Sequence, residues 1–258
     1  MERARELIQP YLQMDGVIGI YVVGSATRPY RDAWSDYDIE VIVEDDVYER
    51  TPMDERQIFS YKQDDPKVVD YEFYLIPWSD FVNLTKSGLD LFHYPYQHAV
   101  LLYDPQGRVE PMIQQLAALP EDVRIERMTV HFLEFLYRLG RGRKTAQRGD
   151  WPINLALLKG DALSSLTKLV FLAKKSWTSM KHWSEQEFSE LSVSRDLLDS
   201  VKTWMSDACS DNARALVGEV RAFLDAEGET FHHDMEGIQQ WLFFTAEGKA
   251  AFEKWGCR

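Results

Sequence analysis

Cysteine is nearly absent: Cys209 and Cys257 are the only two in 258 residues. Two thiols cannot build a disulfide framework or a Cys-rich zinc site, so a reducing, cytoplasmic setting is expected. No stretch approaches the ~20 consecutive apolar residues that cross a bilayer, and no membrane partner is expected. The opening residues, MERARELIQPYLQMDG, are charged and amphipathic, unlike a signal peptide. The G-x-x-x-x-G-K-[ST] phosphate loop is missing, which argues against an ATPase of that class. Internal repeats and low-complexity tracts are missing too. Positive charge is in short supply, with 29 Lys and Arg against 42 Asp and Glu and a net charge of −13. Nucleic acid is therefore not an expected partner, because phosphate backbones are held by basic side chains. An acidic surface suits a cationic ligand, or simply keeps the protein in solution.

The charge that is present is unevenly spread. Residues 1–121 carry 10 basic and 22 acidic side chains, residues 122–183 carry 12 and 5, and residues 184–258 carry 7 and 15. The basic island between two acidic blocks reads either as solvated helix faces or as cations facing a polyanion such as a nucleoside triphosphate.

Hydrophobic periodicity divides the chain into an α+β part over residues 1–115 and an all-helical part over 116–258. Residues 2–14 read as an amphipathic helix. Val17–Val23, 38–43 and 68–76 read as strands, the last stopped by Pro77. A helix begins at Trp78, and Leu101–Tyr103 is a short apolar stretch before an Asp-Pro-Gln-Gly turn. Beyond Pro120 the pattern is helical only. One helix runs to Arg138, and 140–150 (GRGRKTAQRGD) reads as a basic connection. A long helix occupies 152–175, and further helices occupy about 184–206, 211–226 and 235–255. The tryptophans read mainly as packing residues. His232-His233-Asp234 reads as an exposed loop, since adjacent histidines rarely share a helix face, and His93 and His98 are given no role.

The chemistry is concentrated in YVVGSATRPYRDAWSDYDIEVIV, residues 21–43. Gly24 and Ser25 directly follow a strand. Gly24 lets the backbone approach a ligand, and Ser25 offers a hydroxyl and an N–H to phosphate oxygens. Asp36 and Asp38 are two residues apart at the start of the next strand, so they share a face. Two close carboxylates repel unless a cation lies between them. Hard oxygen donors suit Mg²⁺, which prefers one or two carboxylates together with nucleotide phosphates. Glu72 and Asp70 share a face of the third strand. One could complete the metal site and the other could act as general base; Glu72, deeper in the strand, is placed first as the third carboxylate.

The pattern Gly24-Ser25, about ten residues, then Asp36-x-Asp38 flanked by strands resembles the nucleotidyltransferase superfamily, the group of DNA polymerase β. Within it, the segment looks most like the aminoglycoside adenylyltransferases of the streptomycin type, in which an acid followed by alternating residues and Ile-Pro supplies the third carboxylate. Here that form is Glu72-Phe73-Tyr74-Leu75-Ile76-Pro77. The motif match covers roughly residues 17–77. The resemblance implies a nucleotidyltransferase domain followed by a helical bundle, with Mg²⁺ and ATP as donor. It also implies transfer of AMP to a hydroxyl of a small acceptor, and an association with antibiotic resistance. Lys181, in SWTSMKHW, resembles a helical-domain lysine that contacts phosphate in related enzymes; Lys159 and Arg148 are further candidates. Two alternatives stay open: an enzyme of this fold modifying a protein or RNA, and a nucleotide-binding protein without catalysis.

Overall fold

The computed structural model describes residues 1–149 and 151–256 and divides between Ala118 and Leu119 into two compact units. Asp150 and Cys257 lie outside the described residues.

The first unit opens with α1 (Glu2–Leu7). The helix expected over 2–14 ends early because Pro10 has no N–H to donate, and Tyr11–Gln13 tighten into a 3-10 turn. There follow β1 (Val17–Val23), β2 (Tyr37–Val43), α2 (Asp45–Arg50), β3 (Gln57–Tyr61) and β4 (Val69–Pro77). The unit closes with α3 (Trp78–Leu84), β5 (Val100–Tyr103) and α4 (Val109–Ala117). The five strands form one mixed sheet in the order β3-β4-β2-β1-β5. β2 and β4 run parallel, and the other neighbours are antiparallel.

Alternation along the strands gives each sheet face its own core. On one face Tyr37, Ile39, Val41 and Val43 of β2 join Ile20, Val22, Phe73 and Leu75, covered by Ala4 and Ile8 and by Val47 of α2. On the other, Tyr21, Val23 and Ile42 pack against Phe81, Tyr96 and the α4 residues Val109, Ile113 and Leu116. A Cβ on Gly19 would sit 2.5 Å from Val109 Cγ2, so glycine is what lets α4 close onto β1. The residues of β2 that belong to neither core, Asp38 and Glu40, point toward this second face.

The second unit is helical: α5 (Glu121–Gln147), α6 (Pro152–Ala173), α7 (Ser184–Glu190), α8 (Arg195–Ser206), α9 (Ser210–Ala226), α10 (Met235–Phe244) and α11 (Ala246–Trp255). Phe132, Phe135, Leu169, Phe171, Trp204, Leu216 and Val220 lie in its main core. The basic segment expected to be a connection continues α5 as far as Gln147. Arg, Lys, Ala and Gln are good helix formers, and they carry the helix across Gly140 and Gly142. The stretch 184–206 is two helices: Ser192 adopts φ 53°, and Ser194 Oγ accepts from Leu197 N to start α8. Thr245 likewise divides 235–255, its Oγ1 accepting from Gly248 N at 3.0 Å.

Part of the basic island is turned inward. Arg124 is buried, with Glu229 Oε1 at 2.6 Å, Glu121 Oε1 at 2.5 Å and the Leu172 carbonyl at 3.2 Å. The buried Arg127 guanidinium lies 5.2 and 5.0 Å from the Trp177 and Trp255 ring centres. Arg138 pairs with Asp161, and Lys174 with Glu227. Arg141, Arg143, Lys144, Arg148, Lys175 and Lys181 are exposed, in keeping with solvated helix faces, whereas the cations spent on internal pairing were anticipated by neither reading.

Candidate active site

β1 ends at Val23, and the chain turns through a 3-10 segment, Gly24–Thr27. Gly24 takes φ +72°, a left-handed conformation that glycine adopts without strain. Val23 stands opposite Asp38 across the β1–β2 ladder. Gly24 therefore lies against the Asp38 carboxylate so closely that a Cβ there would come 1.9 Å from Asp38 Oδ2. Thr27 Oγ1 donates to the Gly24 carbonyl at 2.9 Å, which holds the turn. The conformation and the close approach thus require glycine for the same reason: the backbone must pass a carboxylate.

Asp36 is presented by a turn built on Asp32, whose Oδ1 accepts from Trp34 N at 2.9 Å and from Ser35 Oγ at 3.0 Å. The parallel register sets Asp38 directly beside Glu72, and Glu40 beside Tyr74. Asp38, Glu40, Glu72 and Tyr74 consequently line one face, with Asp36 at its entrance. Burial, followed by the charges of Asp36, Glu72 and Glu40, pushes the Asp38 carboxyl up to about 7. Burial also raises Asp36, opposed by its own backbone N–H and by Lys62 and Arg31. Glu72 Oε2 accepts from the Tyr74 hydroxyl. Burial and that bond push the Tyr74 phenol up to about 12, keeping it a donor.

Glu40, on the same alternation two residues beyond Asp38, was missed in the sequence. Its carboxylate accepts from the Tyr21 hydroxyl and, at 3.2 Å, from the Tyr96 hydroxyl. Its signal was the Asp36-x-Asp38-x-Glu40 spacing itself. Lys62 had no such signal, because it reaches Asp36's neighbourhood from beyond β3; its Nζ donates to the Ala33 carbonyl at 2.5 Å.

Asp70 is placed differently from Glu72. Its Oδ2 lies 3.7 Å from Arg3 Nη2, and it is not among the charges that raise Asp38. The three cations expected to face a triphosphate all lie in the helical unit. Lys181 opens the exposed 3-10 turn Lys181–Trp183, and Arg148 is exposed just past α5. Lys159, on α6, donates to the Met205 carbonyl at 2.7 Å.

Residues 88–184 match the family described as a domain of unknown function (DUF4037). No curated protein matches the sequence. Among solved structures, a nucleotidyltransferase-like protein from Exiguobacterium sibiricum is similar, with 15% identity and a TM-score of 0.44 over 88% of this chain and 74% of that one.

The donor set at Asp38 fits a hard divalent cation. Asp36, Asp38 and Glu72 offer carboxylate oxygens, and a carboxyl raised to about 7 by burial and its neighbours gains most from a positive charge beside it. The three carboxylates are not gathered tightly. Among the described residues, a trio of metal-type donor atoms all within 4.8 Å occurs only at Asp225, His232 and His233.

Proposed function

We propose that this protein is a Mg²⁺-dependent nucleotidyltransferase that moves AMP from ATP to a hydroxyl of a small, cationic acceptor such as an aminoglycoside. The observation that carries the reading is the position of Asp38. It is pressed against a left-handed glycine at the end of β1, in register with Glu72, and raised to about 7 by burial and three neighbouring acids. A solvated Asp-x-Asp bend would need none of these features.

In this reading Asp36, Asp38 and Glu72 hold Mg²⁺, which when bound neutralises phosphate charge and orients the nucleotide. The Gly24–Ser25 backbone and the Ser25 hydroxyl donate to phosphate oxygens. The acceptor hydroxyl gives its proton to a carboxylate as its oxygen bonds to the α-phosphorus, and the bond to pyrophosphate breaks. Whichever of Glu72 and Asp70 does not hold the metal takes that proton; with Glu72 placed on the metal, Asp70 is the base, and it must leave Arg3, 3.7 Å away, to reach the hydroxyl. Tyr74 orients Glu72 through its hydroxyl. Lys181 and Arg148 are the candidates for triphosphate charge, ahead of Lys159, whose amino group is already committed to Met205. An acceptor with ammonium groups is supported by the acid excess of residues 1–121.

The test is pyrophosphate release from MgATP with a panel of polyamine and aminoglycoside acceptors. Wild type should release pyrophosphate in an acceptor-dependent way, and Asp36→Asn and Asp38→Asn should each lose at least ~10²-fold. Near wild-type rates in Asp38→Asn would overturn the reading. Transfer of α-phosphate label to a protein or RNA instead would move the acceptor to a macromolecule. ATP binding with no release would leave a binding protein.

A further inference from the structure

The turn after α9 gathers a second set of donors that the proposed reaction does not use. Asp225 lies in the last turn of α9, and His232 and His233 occupy a 3-10 turn at Phe231–His233. The backbone between them is tightly closed, with Gly228 N donating to Asp225 O at 3.0 Å and Glu229 N to Leu224 O at 2.9 Å. Gly228 makes this possible with φ +80°. The segment expected to be an exposed loop instead buries His232 completely, against the Phe132 and Phe231 rings.

Both histidines turn the same nitrogen toward one carboxylate. His233 Nε2 is 2.6 Å from Asp225 Oδ1, and His232 Nε2 is 3.3 Å from it. The His232 side chain is 1% exposed; its Nε2 meets Asp225 Oδ1 at 3.3 Å without hydrogen-bond geometry, and the Glu229 backbone is a further polar contact. Its polar surroundings are Asp225, His233, Arg221 and the Glu229 backbone. The ring is therefore a buried donor aimed at an acid and a second imidazole. The adjacent-histidine objection applies to a regular helix; here the two rings stand 4.4 Å apart at 79° and converge from a 3-10 turn.

From this convergence we infer a transition-metal site of the Zn²⁺ class at Asp225, His232 and His233. Two imidazoles and one carboxylate match the ligand types that zinc takes. Tetrahedral ligands at Zn–N distances of ~2.0–2.1 Å stand about 3.3 Å apart. The His232–Asp225 distance already matches. The His233–Asp225 distance must open by about 0.7 Å, which the 58% exposed His233 can do by rotation. Three protein ligands leave a fourth position for water or another ligand, and the exposed sides of Asp225 and His233 place it toward solvent. Burial, then the neighbouring His233, lowers the His232 pKa, which keeps its imidazole neutral as a ligand must be. The Arg221 charge opposes the ion, so moderate affinity is expected.

Chelator-stripped full-length protein is titrated with Zn²⁺ by calorimetry and with Co²⁺ by visible absorption. With excess Mg²⁺ present to fill the acidic site, the expected result is one Zn²⁺ per chain that depends on His233 and Asp225, with tetrahedral Co²⁺ bands and a rise in Tm. His233→Ala and Asp225→Asn, both at exposed positions, should each weaken binding at least tenfold and lose the Co²⁺ bands. His232→Ala opens a hole beside Phe132 and can fail to fold, so the two exposed variants decide. Asp38→Asn, which removes a donor of the acidic site, should still bind one Zn²⁺ and show the same loss on His233→Ala. No stoichiometric binding, or binding unchanged in both exposed variants, would overturn the assignment.

Discussion

Gly24 and Asp38 share one space, and each restricts the other. Alanine at position 24 would have to hold φ near +72° and place a methyl 1.9 Å from Asp38 Oδ2. The backbone strain alone costs about 1–2 kcal/mol. The larger effect is on the carboxylate, which must swing away from its register with Glu72. Misplacement of a reacting group by ~1 Å costs about 10²-fold in rate. Gly24→Ala is therefore expected to keep its circular dichroism spectrum and lose about two decades of pyrophosphate release. A variant with wild-type turnover would show that Asp38 need not touch the turn. Most of this residue-scale arrangement was legible: Gly24-Ser25, Asp36, Asp38 and Glu72 were all chosen from spacing and alternation. Glu40 and Tyr74 lie on the same alternation and were passed over although the spacing placed Glu40 on the face of Asp38; Tyr74 belongs to no motif. Lys62 was illegible, because its approach to Asp36 depends on a strand pairing that sequence does not display.

Among the elements, α5 shows what a buried cation can hold together. Arg124 bonds Glu121 on its own helix, the Leu172 carbonyl of α6 and Glu229 in the turn after α9. Glu229's side chain is only 11% exposed. Removing the arginine leaves that carboxylate buried without its partner, a loss of about 3–5 kcal/mol. Urea unfolding of Arg124→Met should show a loss of this size, and Arg124→Met/Glu229→Gln should recover part of it. Equal stability of single and double variants would mean that Glu229 finds other partners. The strands β1 and β4 were readable because they end at Gly24 and Pro77, and β2 because polar and apolar residues alternate along it. β3 was missed: Gln57–Tyr61 is a mostly exposed edge strand, specified by its pairing with β4 more than by its own pattern. The C-terminal half of α5 was misread because two glycines in a basic run look like a break, whereas the Arg, Lys, Ala and Gln around them favour helix.

At the scale of the whole molecule, net charge and the acidic cluster make stability depend on pH. Asp38 is raised to about 7, and burial also raises Asp36 and Glu40. A carboxyl with a raised folded-state pKa binds protons more tightly folded than unfolded. Its contribution is full at low pH and is lost as pH rises from the ordinary carboxylate range through the folded value. His131 and His232, lowered by burial, act in the opposite direction, so wild type alone does not isolate the term. The comparison with Asp38→Asn does. Between about pH 5 and pH 8 in chelator, the Tm of wild type should fall relative to that of the variant, and Mg²⁺ should narrow the difference at the upper end. A difference that stays constant with pH would mean that Asp38 titrates as an ordinary surface acid.

The parallel pairing of β2 with β4 also governs which changes of length the chain can tolerate. Asp38 and Glu72 are neighbours across a ladder, yet the chain between them makes a detour through α2 and β3. Lengthening the connections at 51–56 or 62–67 leaves the ladder untouched, because side-chain direction is set within each strand. Losing one residue inside β4 ahead of Glu72 is different: with a period of two, the shift turns Glu72 toward the Ile39–Phe73 core and brings an apolar side chain beside Asp38. Insertions can therefore accumulate in this detour over a lineage, while the length of β4 itself stays fixed.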